Sequence, residues 1–259
     1  LRARLYEGDL LAPPPVRGRI EAGTRVYAVG DIHGRADLLA DLFDQMAADY
    51  RKARPDLARI IYLGDYVDRG PDSRRVIDML IDGAPFPHIA TWLKGNHEHH
   101  LLTFLDDPSE SRVWFERGGM ATLLSYGVRI PFGLPAHRRI EHFREELSRT
   151  LPRDHLIFLR DLVLAETVGD YFFVHAGVNP RFPVDQQTAD DMLNIRAPFV
   201  DWDEPLDKIV VHGHTVTKAP VFRAWRIGID TGAFQSGCLT CLVLEDETQR
   251  ILSTAGPRR

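Results

Sequence analysis

Cysteine is scarce. The 259 residues contain two, Cys238 and Cys241, in "GCLTCLVLE". A closed structural zinc site draws on four ligands, and no second pair exists to complete one. The C-x-x-C spacing also suits a redox pair, but the surrounding residues read as a strand. There, positions three apart point to opposite faces, so two small core residues are expected. Long apolar runs are missing too: none approaches the ~20 residues of a membrane helix. The start, "LRARLYEGDLLAPPPVRGRI", has arginines but no apolar stretch of the signal-peptide kind. A cytoplasmic protein without a membrane partner is the expectation. Basic excess is absent as well, with 32 Lys and Arg against 37 Asp and Glu and a net charge of -5. General nucleic-acid binding needs a phosphate-neutralising basic face, so no nucleic-acid partner is expected. Repeats and low-complexity tracts are also lacking.

What is present is an alternating first half. "RVYAVGD", "ARIIYLGD" and "HIATWLKGN" read as strands. Between them, "RADLLADLFDQMAADYRK" and "PDSRRVIDMLIDG" show helical spacing, the second opening on Pro71 and Asp72 and closing at Gly83. A β-α-β-α-β series predicts parallel pairing with right-handed crossovers. Residues from about 98 to 160 read as a helical insertion. "LVLAE", "DYFFVHAG", "DKIVVHGHT", "WRIGIDTGA" and "CLTCLVLE" then read as strands, with "QQTADDMLNIRAPF" a helix among them. The proline-broken residues 1–22 read as a loose segment before a single domain over 23–259.

Polar groups gather at strand ends. The first strand ends in "GDIHG" (Asp31, His33), the second in "GDYVDRG" (Asp65, Asp68, Arg69) and the third in "KGNHE" (Asn96, His97, Glu98). Later strands end in "VHAG" (His175) and "VHGHT" (His212, His214). In an open α/β sheet these carboxyl ends line the ligand crevice. Each motif alone is weak, since a lone histidine after a strand is commonly a core or surface imidazole. Together, carboxylates, imidazoles and an amide suit divalent Mn, Fe or Zn. They are too many for one open ion and fit two metals joined by a shared carboxylate.

The set "GDIHG … GDYVDRGPDS … KGNHE … FVHAGV … VHGHT" resembles the calcineurin-like metallophosphoesterases. The forms "GDYVDRG" and "GNHE" are similar to the serine/threonine protein phosphatase branch, in its compact bacterial and phage type. The resemblance implies a four-layer α/β/β/α sandwich of class α/β around two divalent metal ions, Mn2+ first. By it, Asp31 and His33 bind one ion, Asp65 bridges, and Asn96, His175 and His214 bind the other. His212 is left as a neighbour of the site or a core histidine. Relatives with "GHxH" carry a further ligand where this chain has Val216, a departure shared with the protein phosphatases. His97 and Asp68 match the catalytic pair that protonates the leaving oxygen while a bridging hydroxide attacks. Arg69, Asn96 and, on a looser match, Arg196 match phosphate-binding positions. "DTGA" (Asp230 to Ala233) resembles a segment near the site, with no role beyond a turn. Trp114, Phe115 and Tyr126 read as core, or else as groove lining.

The function expected from this resemblance is hydrolysis of phosphoserine and phosphothreonine in phosphoprotein or phosphopeptide partners. Asp68 is the discriminating residue, since dinucleoside polyphosphate hydrolases usually carry another there. The alternatives are a symmetrical dinucleoside polyphosphate hydrolase on the same scaffold and a catalytically silent binding module. The latter would have shed ligands that this chain retains.

Overall fold

TRVYAV forms β1 (Thr24–Val29), and all six residues are buried. A strand apolar on both faces belongs inside a sheet covered on both sides. The structure, a computed structural model describing residues 18–131 and 133–254, places it there. The chain continues through α1 (Ala36–Ala53), β2 (Leu57–Tyr62), α2 (Ser73–Asp82) and β3 (Ile89–Trp92). A helical stretch follows: α3 (Asn96–Asp106), α4 (Ser111–Glu116), α5 (Gly119–Ser125), α6 (Ala136–Thr150) and α7 (Arg153–Arg160). Next come β4 (Ala165–Val168), β5 (Tyr171–Val174), α8 (Ala189–Asn194), β6 (Ile209–His212), β7 (Val221–Phe222) and β8 (Arg226–Gly228). The last elements are α9 (Ala233–Ser236), β9 (Thr240–Glu245) and β10 (Thr248–Ser253).

Two five-stranded sheets result, ordered β10-β9-β1-β2-β3 and β4-β5-β6-β8-β7. β1, β2 and β3 are parallel, as the alternation predicts, while β9 and β10 add antiparallel. The strand period of two sorts each strand between two cores. Val26 and Ala28 face inward to meet Tyr171, Phe173 and Val211 between the sheets. Tyr27 and Val29 face outward, against Leu39, Phe43 and Met46 of α1, in a core that also takes in Trp114 and Leu147. On the far side, Phe172, Val174 and Val210 pack with Phe199 and Val200. Three apolar interfaces make four layers, α/β/β/α, the fourth being thin and built around α8.

Three details depart from the expectations. β7 and β10 are not among the strands expected from sequence: β7 has two residues, and β10 is a half-exposed edge strand whose polar residues mask its period. Cys238 precedes β9 and is half-buried, whereas Cys241 is buried within it; both are free thiols. Of the expected loose segment, residues 1–17 lie outside the described residues. Ile20 is fully buried and bonds through its N–H to the Asp246 carbonyl.

Candidate active site

The carboxyl ends of β1, β2, β5, β6 and β8 converge on one edge, and sharp turns aim their side chains into it. His33, Asp65, Asp68, Arg69 and His214 all have left-handed backbone, with φ between 46° and 70°. For non-glycine residues this costs on the order of 1–3 kcal/mol each and needs an over-determining environment. Glu98 is central to that environment. Its carboxylate accepts the backbone N–H groups of Asp65 (2.9 Å), Tyr66 (2.7 Å), Val67 (3.2 Å) and Gly95 (2.9 Å), clamping the β2 turn onto the start of α3. Burial, then the charge of Asp65, pushes the Glu98 carboxyl up to about 7. Gly95 is obligatory here, because a Cβ on it would lie 2.1 Å from Asp65 Oδ1.

Asp65 presents one oxygen to each of two clusters. Its Oδ2 is 3.4 Å from His33 Nε2, and its Oδ1 is 3.4 Å from His175 Nε2. His33, Asp65 and His97 could hold one ion, and Asp65, His175 and His214 another. Burial alone would raise the Asp65 carboxyl; the imidazoles of His175, His97, His33 and His214 outweigh it and hold it far below the usual range. The histidines are prepared as ligands. His33 Nδ1 donates to the Val67 carbonyl at 2.9 Å and His175 Nδ1 to the Leu63 carbonyl at 2.9 Å, leaving each Nε2 lone pair facing inward. That outer hydrogen bond is the usual arrangement of a metal-bound imidazole. Burial keeps His33 and His214 neutral, far below the ordinary histidine range.

Buried polar atoms at the centre lack partners: His33 Nε2, His214 Nε2 and Asn96 Nδ2. His175 Nε2 lies 3.1 Å from Asn96 Oδ1 and 3.2 Å from His214 Nδ1, so the Nε2 lone pair faces an amide oxygen that has no proton to give it. Orphaned imidazole nitrogens around a shared carboxylate fit a pair of divalent ions. Asp31 accepts the backbone N–H of His214 at 3.1 Å, which joins the end of β1 to the end of β6.

The other expected residues also fall here. His97 Nδ1 is 2.7 Å from Asp68 Oδ2, with both side chains buried. Burial opposes charge on His97, but Asp65 and Asp68 outweigh it and raise the imidazole above its ordinary value. Arg69 places Nη2 3.1 Å from His97 Nε2 and lies over the ring of Phe234. Arg196, just beyond α8, donates to the His214 carbonyl at 3.3 Å. His212 turns away: β6 ends there, His214 takes φ 58°, and His212 packs against Phe199 with Nε2 3.4 Å from Arg226. Burial, then Arg226, pushes it down to about 3, so it is a neutral core histidine.

Two functional contacts carry no signal in the sequence. Trp114 Nε1 donates to Asp68 at 3.0 Å, and the Thr122 hydroxyl donates to Asp68 Oδ1 at 2.6 Å. Both come from the helical stretch, some fifty residues away in the chain. A position-based signal did exist for Glu98, which stands three residues into a helix start, the capping-box place.

The profile of calcineurin-like phosphoesterases matches residues 24–225. Bis(5'-nucleosyl)-tetraphosphatase PrpE [asymmetrical] of Halalkalibacterium halodurans is 27% identical over 232 residues, spanning 83% of this chain and 87% of that protein. Its namesake from Bacillus anthracis is 24% identical over 233 residues, covering 83% and 88%. The solved structure of a candidate diadenosine tetraphosphatase superposes with a TM-score of 0.61 at 22% identity, covering 98% of this chain and 100% of that one. At that identity the likeness speaks to the fold alone.

The named relatives overturn the expectation of a phosphoserine and phosphothreonine phosphatase with phosphoprotein or phosphopeptide partners. The reasoning failed at Asp68. Its carboxylate is taken up by His97, Trp114 and Thr122. A carboxylate taken up in this way by its own neighbours does not report on what the phosphate is attached to.

Proposed function

The chain belongs to the calcineurin-like phosphoesterases, and from that membership we propose that it hydrolyses dinucleoside polyphosphates, cutting diadenosine tetraphosphate asymmetrically into ATP and AMP. The observation that carries this reading is the naming of relatives matched over more than four-fifths of both chains. It replaces the symmetrical cleavage considered from sequence, because both relatives are named for the asymmetrical reaction.

Asp31, His33 and Asp65 would hold one divalent ion and Asp65, Asn96, His175 and His214 the other, with Mn2+ as the ion. When bound, such a pair supplies a water-derived nucleophile at neutral pH and neutralises phosphoryl charge. The chain's own groups do the rest. Arg69 matches two phosphate oxygens in a fork. Arg196 and Asn96 extend that cradle. His97, oriented by Asp68, delivers a proton to the departing oxygen. Fixed donors of this kind, aimed where charge builds up, are commonly the largest contribution to rate.

The test is direct. Protein loaded with Mn2+ is given diadenosine tetraphosphate, and products are separated by anion exchange, with a chelator control. ATP and AMP in equal amounts, abolished by the chelator, are expected. ADP alone would move the reading to symmetrical cleavage, and an intact dinucleotide would sink it.

A further inference from the structure

The segment "DTGA" is followed by a side chain that none of these roles uses. Phe234, in α9, is half-buried. Its ring meets that of His33 edge to face, with centroids 5.5 Å apart and planes at 78°, and the guanidinium carbon of Arg69 lies 4.8 Å from its centroid. One neighbour belongs to a candidate metal group, and the other is the expected phosphate fork. The turn that carries the ring is firmly held. Thr231 Oγ1 donates to the Cys238 carbonyl at 2.7 Å, the Gly232 N–H to Asp230 Oδ1 at 2.9 Å, and Arg35 Nη1 to the Ala233 carbonyl at 3.0 Å. Gly232 and Gly237 bound α9 with left-handed backbone, at φ 66° and 70°. The ring is therefore fixed between the buried site and solvent rather than carried on a loose loop.

Phosphate hydrolysis needs charge and proton donors, and an aromatic ring supplies neither. A ring that only filled a gap would be buried; this one stays partly accessible beside the arginine. Nucleobases stack on such rings and on guanidinium planes. The bond that breaks decides how near a base comes. Asymmetrical cleavage of diadenosine tetraphosphate leaves a single phosphate between the broken bridge and the nearer nucleoside, whereas symmetrical cleavage leaves two. We propose that Phe234 is the platform on which the nearer nucleobase stacks, so that it sets the preference for nucleoside-bearing phosphates over bare ones. This rests on the dinucleoside polyphosphate reading above and adds the residue that recognises the nucleoside.

Three probes separate the base from the phosphate: AMP, ribose 5-phosphate and inorganic phosphate, each titrated by calorimetry into protein loaded with Mn2+. The wild type should bind AMP about 10-fold or more tightly than ribose 5-phosphate, within the range that one stacked base contributes. Phe234→Leu keeps apolar bulk and removes the aromatic face. It should lose most of that AMP advantage and bind ribose 5-phosphate and inorganic phosphate as the wild type does. Phe234→Tyr, which keeps the face, should retain the advantage. An equal loss on all three probes would overturn the platform, because the ring would then only steady Arg69 through its cation–π contact. So would an unchanged AMP affinity in Phe234→Leu, or a wild type with no preference for AMP over ribose 5-phosphate. Diadenosine tetraphosphate left intact by the wild type would instead sink the hydrolase reading itself, so the two failures are distinguishable.

Discussion

Asp68 shows how much a single residue depends on distant ones. Its carboxylate is gripped by Trp114 and Thr122, and its backbone N–H bonds to Ser73 and Thr122. Those contacts fix the rotamer that holds His97 at 2.7 Å. Thr122→Val keeps the shape and removes the donor. Turnover of an alkyl phosphate should fall by about 10²-fold, the lower end of what general-acid catalysis contributes. An aryl phosphate, whose leaving group needs less protonation, should lose clearly less, while Mn2+ affinity stays unchanged. Steady-state kinetics on the two esters measure this, and equal losses would refute the positioning role. The histidines of the two candidate metal groups were legible because each follows a strand in a short motif. Trp114 and Thr122 were not, because a core aromatic and a helical threonine look ordinary until the chain brings them to a buried charge.

At the scale of elements, the β2 turn and the start of α3 form one unit through Glu98. Each buried N–H left without an acceptor costs about 1–3 kcal/mol. Glu98→Ala orphans four of them, and the left-handed turn at Asp65 loses its clamp. Urea unfolding should show a loss of at least about 3 kcal/mol, with Mn2+ binding lost in the fraction that still folds. Glu98→Gln keeps one acceptor oxygen and should fall between the alanine variant and wild type. The strands and helices of the first half were readable from periodicity. The edge strands β7 and β10 were not, because a strand of two residues and one with a polar exposed face leave little alternation to detect.

Across the whole molecule, the edge of the first sheet opposite the site is tied by charge. Arg25, 6% exposed, bonds to Asp49 at 2.6 Å and to Glu245; Tyr27 and Arg250 also bond to Asp49. Burial would raise the Asp49 carboxyl, but Tyr27 and the two arginines outweigh it and hold it below the ordinary value. A carboxylate depressed on folding stabilises fully above its unfolded value of about 3.9 and loses that contribution as pH falls through its lower folded value. The melting temperature in chelator should therefore drop as the pH falls below about 4, and Asp49→Asn should flatten part of that slope. An unchanged slope would remove Asp49 from the acid response. The same sheet has a consequence for synthesis. β9, among the last strands in the chain, pairs with β1, among the first, and lies between it and β10. On the ribosome, one flank of β1 stays open until residue 245 has emerged. The first sheet is therefore closed last by β9 and β10, strands made long after β1, β2 and β3.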